Sequence, residues 1–66
     1  MEKNRMKKGV IVNSVRVDPD IFTGKWIVNV EDRCGRWYEV IKYDIKNAAV
    51  RHAMEIDDLG YTEIGL

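Results

Sequence analysis

A single cysteine, Cys34, and a single histidine, His52, constrain this chain more than any other feature of its sequence. Its 66 residues form one domain at most. A domain of about 60 residues buries only about 60% of the surface its unfolded chain exposes. Domains that small usually lean on disulfides, a bound metal or a second chain. One thiol closes no internal disulfide, and one histidine among scattered acids offers no cluster at metal-ligand spacing. No cofactor is therefore expected, and the fold must rest on a well-packed core or on association with another chain.

With 45% hydrophobic and 33% charged residues, the composition is that of a globular chain rather than a disordered one. No apolar run approaches the ~18 residues of a membrane span, and no apolar segment follows the basic start as in a secretory leader. An unpaired thiol fits a reducing compartment, so a cytoplasmic protein without membrane contact is expected. Net charge is formally zero but unevenly spread. Residues 1–9 carry Lys3, Arg5, Lys7 and Lys8 against Glu2, whereas residues 44–66 carry Lys46 and Arg51 against Asp44, Glu55, Asp57, Asp58 and Glu63. A domain that grips a phosphate backbone usually shows a clear positive excess, and this one does not.

Residues 1–8 read as a flexible basic tail and residues 9–66 as the folded domain. Gly9–Asp18 is rich in Val and Ile, as a strand favours. Its alternation slips: Val10 and Val12 share one parity, Val15 and Val17 the other. A bulge at Asn13–Ser14 would return both pairs to one face, because an extra residue flips the phase. Asp18-Pro19-Asp20 ends the strand, and Ile21 and Phe22 are expected to fold back as a lid over the core. Lys25–Glu31 and Arg36–Tyr43 form a hairpin around Asp32-Arg33-Cys34-Gly35, with Gly35 in the left-handed conformation of a type I turn plus G1 bulge. Pairing Asp32 with Arg36 sets Val30 opposite Tyr38 and Val28 opposite Val40. Trp26, Val28, Val30, Tyr38 and Val40 then share the core face, and Ile27, Trp37, Ile41 and Tyr43 the other.

Asp44 is a suitable N-cap for a helix over Ile45–Leu59, stopped by Gly60. At 100° per residue, Ile45, Ala48, Ala49, His52, Ala53, Ile56 and Leu59 form one stripe. Asp57 and Asp58 near the C-terminus run against the helix macrodipole. Tyr61–Leu66 alternates and suits a final edge strand. The expected fold is α+β: a three-stranded antiparallel meander with one C-terminal helix packed on one face (βββα), plus that short strand.

Cys34 beside Arg33 and Arg36 is the one thiol that positive charge could activate, but His52 is expected far from it, facing inward from the helix. No glycine-rich phosphate loop follows a strand, and no catalytic residues are assigned. One helix covers only one side of the sheet. Trp37, Ile41, Tyr43 and Ile27 on the uncovered side are the expected contacts for another protein, and Val50 and Met54 on the outer helix face the expected self-association contacts. The leading expectation is a non-catalytic protein-binding module acting as a homodimer, in the manner of small regulators or inhibitors carried by phages and mobile elements.

Gly24-Lys25-Trp26, the turn Arg33-Cys34-Gly35-Arg36 and the alanine-rich helix after Asp44 loosely resemble the sheet-plus-helix DNA-binding domains of phage integrases and certain plant transcription factors. The resemblance covers about residues 24–59 and implies a sheet laid in the major groove, with Arg33, Arg36, Lys25 and Lys42 as nucleic-acid contacts. Glu31, Asp32 and Glu39 depart from it, since they would meet phosphates. Nucleic-acid binding is the alternative expectation.

Overall fold

A computed structural model of the chain describes residues 6–65. Of the expected basic tail, residues 1–5 lie outside the described residues, as does Leu66. Lys7 and Lys8 are not tail but open the first strand, β1 (Lys7–Ile11). Then follow β2 (Ser14–Pro19), β3 (Trp26–Glu31), β4 (Trp37–Tyr43), helix α1 (Lys46–Leu59) and β5 (Tyr61–Gly65). Strands β2, β3 and β4 form the expected antiparallel meander, and β5 pairs antiparallel with β1 in a separate two-stranded sheet.

The phase slip at Asn13–Ser14 is a corner rather than a bulge. The Val12 N–H bonds the Gly60 carbonyl at 3.0 Å, and the Asn13 N–H bonds the Glu31 carbonyl at 2.7 Å. Consecutive amides thus serve different sheets, and the chain changes sheet between them. A corner and a bulge both flip the alternation, so Val10, Val12, Val15 and Val17 all still reach the core. That core is closed by Val10 of β1, Val28 and Val30 of β3, Ala49, Ala53 and Ile56 of α1, and Ile64 of β5. Trp26, Tyr38 and Val40 pack around it as the alternation predicts.

The β3–β4 turn forms as expected. The Asp32 N–H bonds the Arg36 carbonyl and the Gly35 N–H the Asp32 carbonyl, with Gly35 at φ 85°. Val30 faces Tyr38, but the register then shifts and Val28 faces Ile41 instead of Val40. Val40 is the extra residue of a β-bulge, and it re-aims everything after it. Tyr43 is thereby turned to the core side, half-buried opposite Trp26, which removes it from the uncovered face.

Helix α1 lies against β2 and β3, with small Ala49 and Ala53 fully in contact with the sheet. Its N-cap is Ile45, not Asp44. The Ala48 and Ala49 N–H groups both reach the Ile45 carbonyl, so Asp44 lies one residue too early to cap. Its carboxylate instead stands 3.8 Å from the Lys25 ammonium. Gly60 ends the helix at φ 71°, its N–H bonded to the Ile56 carbonyl. The periodic stripe is longer than the sheet beneath it, so Ile45 and Leu59 at its two ends are exposed rather than buried. Across the β1–β5 pair, the Tyr61 ring lies over Gly9, its hydroxyl filling the place a Cβ would take.

Candidate binding surface

The β2–β3 connection is where the structure departs furthest from expectation. Ile21 and Phe22 do not fold back over the core. They project into solvent, 83% and 92% exposed. Burying such a side chain is worth about 1.5–3 kcal/mol, and the fold forgoes that gain twice at adjacent positions.

The loop that carries them is held firmly. One oxygen of the Asp20 carboxylate accepts the Phe22 N–H at 3.0 Å, the Asx-turn that aspartate favours. The other accepts the Lys42 ammonium of β4 at 2.9 Å. Main-chain bonds from the Gly24 N–H to the Asp20 carbonyl and from the Asp20 N–H to the Lys25 carbonyl close the base. The Asp20 side chain is only 9% exposed. The Lys42 hydrogen bond, then those from Thr23 and the Phe22 N–H, hold its carboxyl at about 2, and Asp20 in turn pushes the Lys42 ammonium up. Phe22 is therefore displayed on a clamped loop.

Beyond the loop, the uncovered sheet face is more polar than a partner patch of four apolar residues would be. Ile27 pairs with Asp18 on β2 and Lys42 on β4, next to the loop base. Ile41, 39% exposed, is set by the bulge opposite core Val28 rather than in the row of Ile27, so it leaves the uncovered-face alternation as Tyr43 does. Trp37, 41% exposed, lies at the opposite end of the sheet across from Glu31 and Ser14, with the Arg16 guanidinium stacked 5.3 Å from its ring. Between them runs a bonded polar row: Arg16 pairs with Asp18 at 2.9 Å, and Asn29 donates to Asp18 at 2.8 Å. Tyr43, the fourth expected contact, instead shares a 2.9 Å hydrogen bond with His52 Nδ1, their rings edge to face.

The cationic set divides. Lys25 and Lys42 lie at the loop end beside Asp44 and Asp20. Arg33 and Arg36 lie at the β3–β4 turn, a strand's length of about 17–20 Å away, and make no ion pair among the described residues. No single basic patch joins the four. At that turn the Asp32 carboxylate accepts the Arg36 and Cys34 N–H groups and the Tyr38 hydroxyl. The Arg36 N–H bond, followed by those from Tyr38 and Cys34, keeps its acid below the usual carboxylate range. Lys8 donates to the same Tyr38 hydroxyl at 2.9 Å, tying β1 to the meander.

No family model matches the chain, and no match emerges among curated proteins or solved structures. The surface must be judged on its own chemistry. Cys34 is exposed at the turn, whereas His52 is engaged by Tyr43 at the far end of β4, so nucleophile and base do not meet. Among the described residues no group of three or more His, Cys, Asp or Glu side chains is placed to hold a metal, and no helix is long and apolar enough to cross a membrane. Sequence reasoning missed the display of Ile21 and Phe22. The signal was present, since an aspartate two residues before Phe22 in a Pro-Asp-rich turn encodes the Asx-turn that faces the loop outward.

Proposed function

We propose that this chain is a non-catalytic protein-binding module, acting as a homodimer in the cytoplasm, whose anchor is the clamped Ile21–Phe22 loop. One observation carries the reading: two adjacent large apolar side chains are almost fully exposed on a loop that Asp20 and Lys42 fix in place. An aromatic anchor pre-set in its bound conformation saves ordering cost on binding, and such anchors dominate interface energetics. A standard footprint of about 800 Å² per partner extends from the loop across Ile27 to Trp37. The polar row between them supplies a hydrogen-bonding rim. The exposed, unpaired Cys34 thiol suits a reducing compartment.

The test is paired capture with the wild-type chain and the variants Phe22→Ser and Ile21→Ser. Wild type is expected to retain a partner that both variants lose, with unfolding midpoints unchanged. Retention by Phe22→Ser at wild-type strength would sink the anchor assignment.

Exposed Arg33 and Arg36 favour one second reading, nucleic-acid binding at the β3–β4 turn. It requires oligonucleotide affinity that falls steeply with salt and that Arg33→Ala and Arg36→Ala weaken.

A further inference from the structure

The outer face of α1 carries a pattern that the protein-binding surface does not use. Met54, 67% exposed, stands at its centre. On one flank is a shallow groove lined by Val15, Val50, Ala53, Met54 and Asp57. On the other is a second groove lined by Arg51, Met54, Glu55, Asp57 and Asp58. None of Arg51, Glu55, Asp57 or Asp58 makes an ion pair among the described residues. The last helical turn holds no basic residue to answer Asp57 and Asp58, although negative charge there opposes the macrodipole. The helix is thus locally unsatisfied at one end and carries an unused cation one to two turns earlier.

We infer that this face pairs with a second copy of itself, antiparallel, about a two-fold axis through Met54. The geometry follows from helix parameters. Arg51 precedes Met54 by three residues and Asp58 follows it by four, so at about 1.5 Å per residue they lie at nearly equal heights on either side. At 100° per residue both fall on the same flank of Met54, rotated by about 60° and 40°. A two-fold axis perpendicular to the helices inverts height and keeps the flank. It therefore brings Arg51 of each copy beside Asp58, and close to Glu55, of the other. Met54 meets Met54, and Val50 fills the opposite flank. A parallel pairing keeps height and inverts the flank, setting Arg51 beside Val50 and Asp58 beside Asp57 of the other copy, so the charge order selects the antiparallel dimer. Isologous contacts of this kind are the usual form of a homodimer.

The parts have different roles. Exposed ion pairs contribute little affinity but set orientation and reject wrong pairings. Met54 and Val50 supply the apolar contact, and each incoming Arg51 answers the acidic helix end that its own chain leaves unanswered. This inference deepens the homodimer part of the proposed function and leaves the Ile21–Phe22 surface free, because the loop projects from the sheet rather than from α1.

The experiment is a charge swap read by sedimentation velocity across a concentration series from about 10 µM to about 1 mM, a range suited to a small interface. Wild type is expected to dimerise within that range. Arg51→Asp and Asp58→Arg are each expected to weaken the dimer by about tenfold, and the double variant Arg51→Asp/Asp58→Arg to restore it. Asp58→Arg also relieves the dipole misfit, so its monomer unfolds no more easily than wild type and loss of the dimer is not loss of the fold. In a Cys34→Ser background, Met54→Cys treated with oxidised glutathione is expected to give a disulfide-linked dimer. A wild type that stays monomeric throughout, single reversals without effect, or a double variant that fails to recover would each overturn the antiparallel pairing. Capture by Phe22 is read separately in the Arg51→Asp variant, at a concentration where sedimentation shows it monomeric, and its persistence there leaves the protein-binding reading intact.

Discussion

Closure of β1 onto β5 depends on a glycine covered by a ring, and a double-mutant cycle can weigh that cover. Tyr61 is 46% exposed, so about half its surface is sheltered, and its hydroxyl fills the Cβ position of Gly9. Full burial of a large side chain is worth about 1.5–3 kcal/mol. The shelter provided at Gly9 is then worth at most about 1 kcal/mol. An alanine at Gly9 displaces the ring and forfeits that shelter. It also gains about 0.5–1 kcal/mol from the lower entropy of the unfolded chain. The two terms nearly cancel, so Gly9→Ala alone is expected to change stability little. With Tyr61→Ser the ring is gone, and Gly9→Ala is expected to stabilise by about 0.5–1 kcal/mol. The decisive quantity is the coupling, about 1 kcal/mol from urea unfolding of the four proteins followed by tryptophan fluorescence. Additivity within about 0.3 kcal/mol would show that the ring and the glycine are independent and refute the reasoning.

The remaining predictions are more direct. Asp20 titrates at about 2 and Asp32 below the usual range, so each carboxylate favours the folded chain above its unfolded pKa, about 3.9, and that contribution is lost as pH falls below it. Carboxyl chemical shifts followed by NMR from about pH 5 to about pH 1.5 should show the Asp20 midpoint near 2; a midpoint near 4 would mean the Lys42 clamp is open in solution. Tyr43→Phe removes the 2.9 Å bond to His52 and is expected to cost about 0.5–1.5 kcal/mol in thermal or chemical unfolding. Val28, at 0% exposure, is expected to cost about 2–3 kcal/mol on replacement by Ala, a large share of what a domain this small commands; a loss under about 1 kcal/mol would mean the core collapses around the gap.

Much of the fold was legible because period and turn chemistry are local signals. The parity of Val28, Val30, Tyr38 and Val40 gave their face, Gly35 the hairpin, and Gly60 the helix end. What stayed hidden depends on partners distant in the chain. The shift of Val15 and Val17 against Val10 and Val12 has the same sequence form whether the strand bulges or turns a corner, and only the Gly60 and Glu31 carbonyls decide. The bulge at Val40 has no glycine or proline to announce it, so Tyr43 was assigned to the wrong face. Ile45 and Leu59 belong to the helical stripe, but periodicity does not say how far the sheet extends beneath it. Of the candidate surface, Ile27 and Trp37 could be read from alternation, whereas Ile41, like Tyr43, follows the bulge and could not. Of the Phe22 display, the Asx-turn at Asp20 is a local signal, but the clamp is not, since it rests on Lys42 reaching Asp20 from β4.

The sheet corner also sets the order of assembly. The rungs of the meander join residues near one another in the chain, whereas every rung between β1 and β5 joins residues fifty or more positions apart. Closing so long a loop carries an entropic cost that rewards nothing until the pairing is made. The β1–β5 ladder is therefore expected to be the last element to lock and the first to open. Its amides should exchange with solvent by a local opening that leaves those of β3 protected. During that opening the chain uncovers Val10 and Ile64 from the core while the Phe22 loop, clamped within the meander, keeps its shape.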